Sequence, residues 1–300
     1  MVNCHRLKRA ATLTGGSPYL AVTPAHNEEG LLPQLIESML AQTILPKRWI
    51  IIDDGSTDRT RALIAAAAAK SPWIEPYNLP KRTKREAGGE AAVKHVLSQT
   101  SWDNCGYLMR LDADVTFGPE YASLLLAEFR KDRLLGIAGG SIYEKPRGRW
   151  RLVEAPSFDT PGASKFYSRS CYEAIGGLEG DLGWDTIDDM RALMRGYRTK
   201  RFGHIHVFHH RVMGSSRGLW RGRLRAGEAA YNVGYLPLFM LARAAYRTFD
   251  EPWIAGALLL LIGYLRPWLT HRRPLAEPEL IRFVRAQQWR RLTLSETLWR

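Results

Sequence analysis

Two aspartates spaced two apart, Asp112 and Asp114, follow the run Tyr107-Leu108-Met109-Arg110-Leu111 and precede Thr116-Phe117-Gly118-Pro119. The run is rich in apolar residues and reads as a strand covered on both faces. Its C-terminal end, where open α/β sheets place ligands, is where the carboxylates fall. Residues i and i+2 of extended backbone point the same way. Two carboxylates held together call for a positive charge between them, and a hard divalent cation with oxygen ligands meets that need. Taken alone, such a pair is more often a solvated turn, so the rest of the chain decides. Two further acidic stations stand out: Asp53-Asp54, followed by Gly55-Ser56-Thr57-Asp58, and Asp185, Asp188 and Asp189 in a segment that opens a helix. Helix capping by Thr186 or Asp185, with Asp188 and Asp189 in the first turn, accounts for one or two of these last three.

The elements that must carry these residues alternate. Residues 19–23 read as a strand ending at Pro24-Ala25-His26-Asn27-Glu28-Glu29-Gly30, since proline has no amide to donate and suits a strand end. Residues 31–40 have helical apolar spacing, 48–54 form a second buried strand, and 59–69 a second helix. A third strand is expected over 73–79, a helix over 90–97, the key strand at 107–111, a helix over 120–130, and a strand over 136–142. Residues 144–162 read as loop, 163–167 as a strand, 171–175 as a short helix, a further helix ends at Met194, and 198–208 reads as an edge strand. Strand and helix in alternation, with acidic residues at strand ends, predict a right-handed parallel α/β unit.

With 300 residues the chain has room for one large domain with appendages, or for two domains. An apolar content of 45%, with 10 Trp and 12 Tyr, excludes a disordered chain. Cys4, Cys105 and Cys171 fit neither a disulfide framework nor a zinc spacing, which points to a reducing compartment. His5, Arg6, Lys8 and Arg9 have no apolar stretch behind them, so no signal peptide is expected. Charge is uneven: residues 201–300 hold 16 arginines, no lysine and 6 acidic residues, leaving +10 of the chain's +13. Nucleic acid, an anionic membrane or phosphorylated substrates would each answer such a field.

The ordered stations, together with Val22-Thr23-Pro24-Ala25-His26-Asn27-Glu28-Glu29 and Asp53-Asp54-Gly55-Ser56-Thr57-Asp58, closely resemble glycosyltransferase family 2 over residues 18–212. The resemblance implies inverting enzymes with the GT-A fold: Rossmann-like, a mixed, mainly parallel sheet flanked by helices, binding a nucleotide-sugar. It assigns Pro24, His26, Glu28 and Asp54 to the nucleotide's base and ribose, and Asp112 and Asp114 to a divalent metal, Mn2+ or Mg2+, with Asp114 in direct contact. Asp188 matches the acidic general base, with Asp185 and Asp189 as neighbouring alternatives; the family's usual Glu-Asp is absent here. His209 or His210 is a candidate further metal ligand, and Lys165, Arg82 and Arg85 are candidate diphosphate contacts. Sugar transfer needs the departing diphosphate stabilised and the acceptor hydroxyl deprotonated, tasks for a Lewis-acid metal and a positioned carboxylate. The Gln-x-x-Arg-Trp signature of processive synthases is absent, the nearest segment being 215–221, which predicts a single addition per acceptor. A sugar nucleotidylyltransferase would need a glycine-rich, lysine-bearing loop after the first strand, which residues 24–30 are not; a catalytically degenerate nucleotide-binding scaffold would lack intact acidic stations.

Beyond residue 212 the pattern changes. Residues 229–242 and 253–265 are uncharged and apolar, yet shorter than the ~20 residues that span a bilayer. Arginines and tryptophans surround them (Arg217, Arg221, Trp220, Trp253, Arg266, Trp268), and residues 279–300 read as a basic amphipathic helix. The expected organisation is a flexible basic N-terminus (1–17), a catalytic domain (18–212) and a helical, Arg-rich, membrane-associating tail (213–300). The interleaved apolar runs favour membrane over nucleic acid. A peripheral or re-entrant enzyme on the cytoplasmic face of a bacterial inner membrane, acting on a lipid-linked or other saccharide acceptor, is the expected setting; the alternative is a tail packed on the catalytic domain.

Overall fold

The computed structural model describes residues 18–80, 89–102, 104–211, 218–249 and 252–298. Its strands are β1 (Tyr19–Ala25), β2 (Arg48–Asp54), β3 (Ile74–Leu79), β4 (Tyr107–Leu111), β5 (Val115–Phe117), β6 (Leu135–Glu144), β7 (Arg151–Leu152), β8 (Ser164–Ser168) and β9 (Arg198–His209). The helices are α1 (Leu32–Leu40), α2 (Thr60–Lys70), α3 (Glu90–Gln99), α4 (Tyr121–Lys131), α5 (Arg169–Ala174), α6 (Trp184–Met194), α7 (Leu219–Val233), α8 (Pro237–Tyr246), α9 (Trp253–Leu269) and α10 (Pro278–Leu292).

One sheet runs in the order β3-β2-β1-β4-β8-β6-β9-β5, with β7 beside β6. Neighbours from β3 to β4 are parallel, β8 is antiparallel to β4 and β6, and β9 is parallel to β6. The chain leaves β1 toward β2 and returns to β4 on its other side. Connections that depart in opposite directions from two adjacent strands open a crevice at their C-terminal ends. His26, Asp54, Asp112 and Asp114 all lie at that rim. Alternation along the strands builds two cores. Tyr19, Ala21, Trp49 and Ile51 face α1, α2 and α4, whereas Leu20, Val22, Ile50, Ile52 and Leu108 face α3, α5 and α6.

Two expectations are corrected here. β9 is not an edge strand, because β5, over residues assigned to no element from the sequence, doubles back after Asp114 and pairs antiparallel with it, Val115 opposite His209. α6 is capped by neither Thr186 nor Asp185. Gly183, at φ 97°, turns the chain into a helix that begins at Trp184. A side chain there would meet the carbonyl of Ala229 at 3.0 Å as well as adopt a left-handed backbone, so glycine fits twice over.

The tail folds as helices α7 to α10, and their inward residues, such as Tyr231, Leu260 and Leu280, share a core with Phe158, Ile187 and Met190 of the catalytic region. The α7–α9 crossing is close: a Cβ added to Gly227 would lie 2.0 Å from the carbonyl of Leu260, and one on Gly263 2.0 Å from that of Leu224. Arg191 of α6 ties the tail down by pairing with Glu277 at 2.8 Å. Among the described residues no helix is long and apolar enough to cross a membrane.

Candidate active site

The β5–β9 pairing assembles the centre of the site. His210 N donates to the Asp114 carbonyl at 2.9 Å, fixing the register that sets His209 beside the Asp114 carboxylate. Asp112, Asp114 and His209 then present ligand atoms within 4.8 Å of one another. His209 Nε2 lies 3.2 Å from Asp114 Oδ1, and its Nδ1 lies 3.4 Å from Glu144 Oε1. A carboxylate holding the outer ring nitrogen orients the inner one toward the site, the arrangement that supports ligating histidines. Burial opposes a charged His209, but hydrogen bonds to Asp114 and Glu144 and the neighbouring carboxylates prevail and raise it to about 10. Asp114, although burial pushes it up, is held below the usual carboxylate range by His209 and Arg211. The place therefore favours a cation, and two carboxylates with an imidazole whose outer side is already satisfied fit a divalent metal.

Adjacent residues of a strand face opposite ways, and the two histidines divide accordingly. His210 contacts Thr116 Oγ1 at 2.8 Å and stands edge-on to Trp150, outside the cluster.

Arg110 positions Asp112. It is buried, and residues 110 and 112 share a side of the chain, so its guanidinium reaches the carboxylate at 2.6 Å. The same guanidinium donates to the Gly162 carbonyl at 2.5 Å and lies 4.8 Å over the Trp184 ring. Asp112 N donates to Ala163 O at 2.9 Å, which links the metal carboxylates to the loop before β8.

The nucleotide-side residues form a laced rim. His26 Nδ1 bonds the Asp54 carbonyl at 2.7 Å; Asn27 N donates to Ser56 Oγ at 3.0 Å; Glu28 N donates to Thr60 Oγ1 at 2.8 Å. Asp54 is buried, and Pro24, also buried, abuts Gly89, where a Cβ would collide with its ring at 2.2 Å. The Glu28 carboxylate is gripped by both Arg211 nitrogens, at 2.9 and 2.7 Å, and Arg211 also stands 3.5 Å from Asp114. Arg82 and Arg85 lie outside the described residues.

The three late aspartates separate by depth. Asp189 (1% exposed) accepts from Lys165 Nζ at 3.1 Å and from Thr160 N at 2.9 Å. Asp188 (0% exposed) accepts from the Tyr167 hydroxyl at 2.8 Å, and its Oδ1 has no hydrogen-bond partner among the described residues. Burial pushes the Asp188 carboxyl up to about 7, against the opposing Lys165 charge. Asp185 is half-buried in the first turn of α6; its Oδ1 accepts from Thr186 N at 2.9 Å. Its Oδ2 lies 3.3 Å from where a Cβ on Gly162 would stand, beside the loop that holds Asp112 and Arg110. Lys165 is fully buried and donates to the Asp185 carbonyl at 2.5 Å, so it braces α6 from below and is enclosed rather than open to a diphosphate.

Arg110, Glu144, Gly162, Trp184 and Arg211 belong to this site and were not singled out in the sequence. Only Arg110 carried a signal: a charge inside a buried strand, with a carboxylate two residues on.

The model of the family "Glycosyl transferase family 2" matches residues 20–202. The poly-beta-1,6-N-acetyl-D-glucosamine synthase of Staphylococcus aureus is 24% identical over 228 residues, 69% of this chain and 53% of that protein. The succinoglycan biosynthesis protein ExoA of Rhizobium meliloti is 32% identical over 110 residues, 36% of this chain and 32% of that one. The chain spans about half or less of the length of these relatives. Among solved structures, the mannosyltransferase PcManGT of Pyrobaculum calidifontis, in complex with GDP-Man and Mn2+, matches with a TM-score of 0.55 at 16% identity, covering 95% of this chain and 77% of that one. S. aureus TarS 1-349 in complex with UDP-GlcNAc matches with a TM-score of 0.54 at 14% identity, over 85% and 73% of the two chains. These likenesses give the fold as GT-A, and the chain is a member of glycosyl transferase family 2.

Proposed function

We propose that the protein transfers a sugar from a uridine diphosphate donor to a hydroxyl of a lipid-linked saccharide, one addition per acceptor and with inversion, at the cytoplasmic face of a bacterial membrane. The observation that carries the reading is the Asp112–Asp114–His209 cluster at the sheet's switch point, beside the laced rim of His26, Glu28 and Asp54. Asp112, Asp114 and His209 would hold the divalent metal, which when bound supplies Lewis-acid stabilisation of the departing diphosphate. Arg110 fixes the Asp112 carboxylate, and Arg211 adds a positive charge on the same side. Asp185 takes the proton of the acceptor hydroxyl as its oxygen attacks the anomeric carbon and the bond to the diphosphate breaks. Asp185 suits this role better than Asp188 or Asp189, because a base must meet its proton within hydrogen-bond reach and the other two are enclosed. Lys165, Trp184 and Gly183 hold the start of α6, and with it Asp185, beside Gly162.

Calorimetric titration of UDP and GDP, with Mn2+ and with EDTA, tests this on the wild type and Asp114→Ala. The expected result is metal-dependent binding of UDP that the variant loses. Absence of nucleotide binding under every condition would remove the donor class from the reading.

A further inference from the structure

The outward faces of α8 and α9 form an apolar surface with no cover among the described residues. On α9, Ile254, Leu258, Ile262, Leu265 and Leu269 recur at helical spacing and stay exposed, whereas the opposite face, Gly256, Ala257, Leu260, Gly263 and Tyr264, is buried. A helix at a water-facing surface carries polar residues outward; here the outward residues are large aliphatics. Leu238 and Leu241 extend the strip onto α8, whose last residue Tyr246 is 81% exposed, and Phe249 in the link between the helices is 90% exposed. So continuous an apolar patch marks a docking surface.

Its chemistry selects the occupant. Trp253 and Trp268 stand exposed at the two ends of α9, the position of aromatic anchors at a headgroup layer. Neither α8 nor α9 contains an acidic residue, and exposed Arg266, Arg273 and Arg221 lie on and around them. The acidic pair of this region, Asp250 and Glu251, falls outside the described residues. A second copy would bring a tail of the same net +8 (14 arginines against 6 acidic residues over 213–300) against this one, whereas anionic lipid supplies the opposite sign. The 17 residues of α9 reach about 25 Å, short of the ~30 Å hydrocarbon core, so the helix lies along a bilayer instead of through it. We propose that the α8–α9 face seats the protein in the headgroup zone of an anionic bilayer, an interaction that stands independently of the transferase chemistry.

Vesicle flotation of the full chain tests it, with phosphatidylcholine alone and mixed with phosphatidylglycerol, at low and high salt. The protein is expected to float with the mixed vesicles and less with the zwitterionic ones, and to be released in part by salt. Ile254→Ser with Leu258→Ser should lower the partition coefficient by about 100-fold, roughly tenfold per aliphatic side chain, while metal-dependent nucleotide binding reports an intact fold. Equal flotation of the double variant and the wild type would overturn the proposal. So would a wild-type chain that ignores vesicles, whether monomeric or forming a dimer that the same substitutions dissolve.

Discussion

If Asp185 is the base, replacing it and replacing Asp188 with asparagine should have opposite signatures. Asp185→Asn keeps the side chain's size and its bond from Thr186 N, but cannot take a proton. Loss of a general base lowers turnover by about 100- to 10,000-fold, roughly 3–5 kcal/mol in the barrier. Nucleotide affinity should stay within a few-fold, because the metal-binding atoms are untouched. Asp188→Asn should leave turnover nearly intact and change stability instead. The folded-state pKa of Asp188, about 7, lies above its ordinary 3.8, so between those values the folded protein binds more protons than the unfolded one. This contribution is fully present below pH 3.8 and is lost as pH rises through about 7, a swing on the order of 4 kcal/mol for this 0% exposed group. Asparagine does not titrate, so the variant's stability curve should be flatter across that window by up to about 1.4 kcal/mol per pH unit. The assays are single-turnover transfer and urea unfolding from pH 4.5 to 8. Collapse of turnover in Asp188→Asn, with Asp185→Asn active, would refute the reasoning.

Three further outcomes follow from the geometry. Lys165→Met should destabilise the fold by about 3–5 kcal/mol, since it strands the buried Asp189 carboxylate, and urea unfolding would read this; unchanged stability with weakened nucleotide binding would restore Lys165 to the diphosphate. Glu144→Gln, which loosens the outer side of His209, should weaken Mn2+ binding by about 10- to 100-fold by spin-resonance titration, and His210→Ala should not; the reverse order would reassign the ligand. Gly263→Ala should separate α7 from α9 and lose about 1–3 kcal/mol or more in thermal unfolding, against near-neutral Gly203→Ala, where a Cβ meets nothing within 4 Å.

The alternation of strands and helices and the three acidic stations were readable because buried strands, helical spacing and strand-end carboxylates are local patterns. What escaped depends on partners distant in sequence. Choosing His209 over His210 requires knowing that β5 exists, and three residues after a turn give too short a run to show a strand period. The different depths of Asp185 and Asp188 follow from where α6 begins, which Gly183 and its contact with α7 set. Lys165 and Tyr167, two apart on β8, share the face that meets Asp189 and Asp188, so one strand supplies a cation and a hydroxyl donor to the inner side of one helix. The pairings of β8 with β4 and β6, Arg110 opposite Lys165 and Ile137 opposite Tyr167, bring that strand there.

The insertion of β9 between β6 and β5 also bears on how the molecule comes into being. Asp114 and His209 meet only when the last strand of the sheet has threaded its place, across a stretch that includes β6, β8 and α6. Contacts of such sequence separation form slowly, because the loop between them must close first. During synthesis β1 to β4 can associate while the histidine is still to be made. The ion site is therefore a late-arriving property of the chain, and the first moment at which metal is retained marks the completion of the sheet rather than its nucleation.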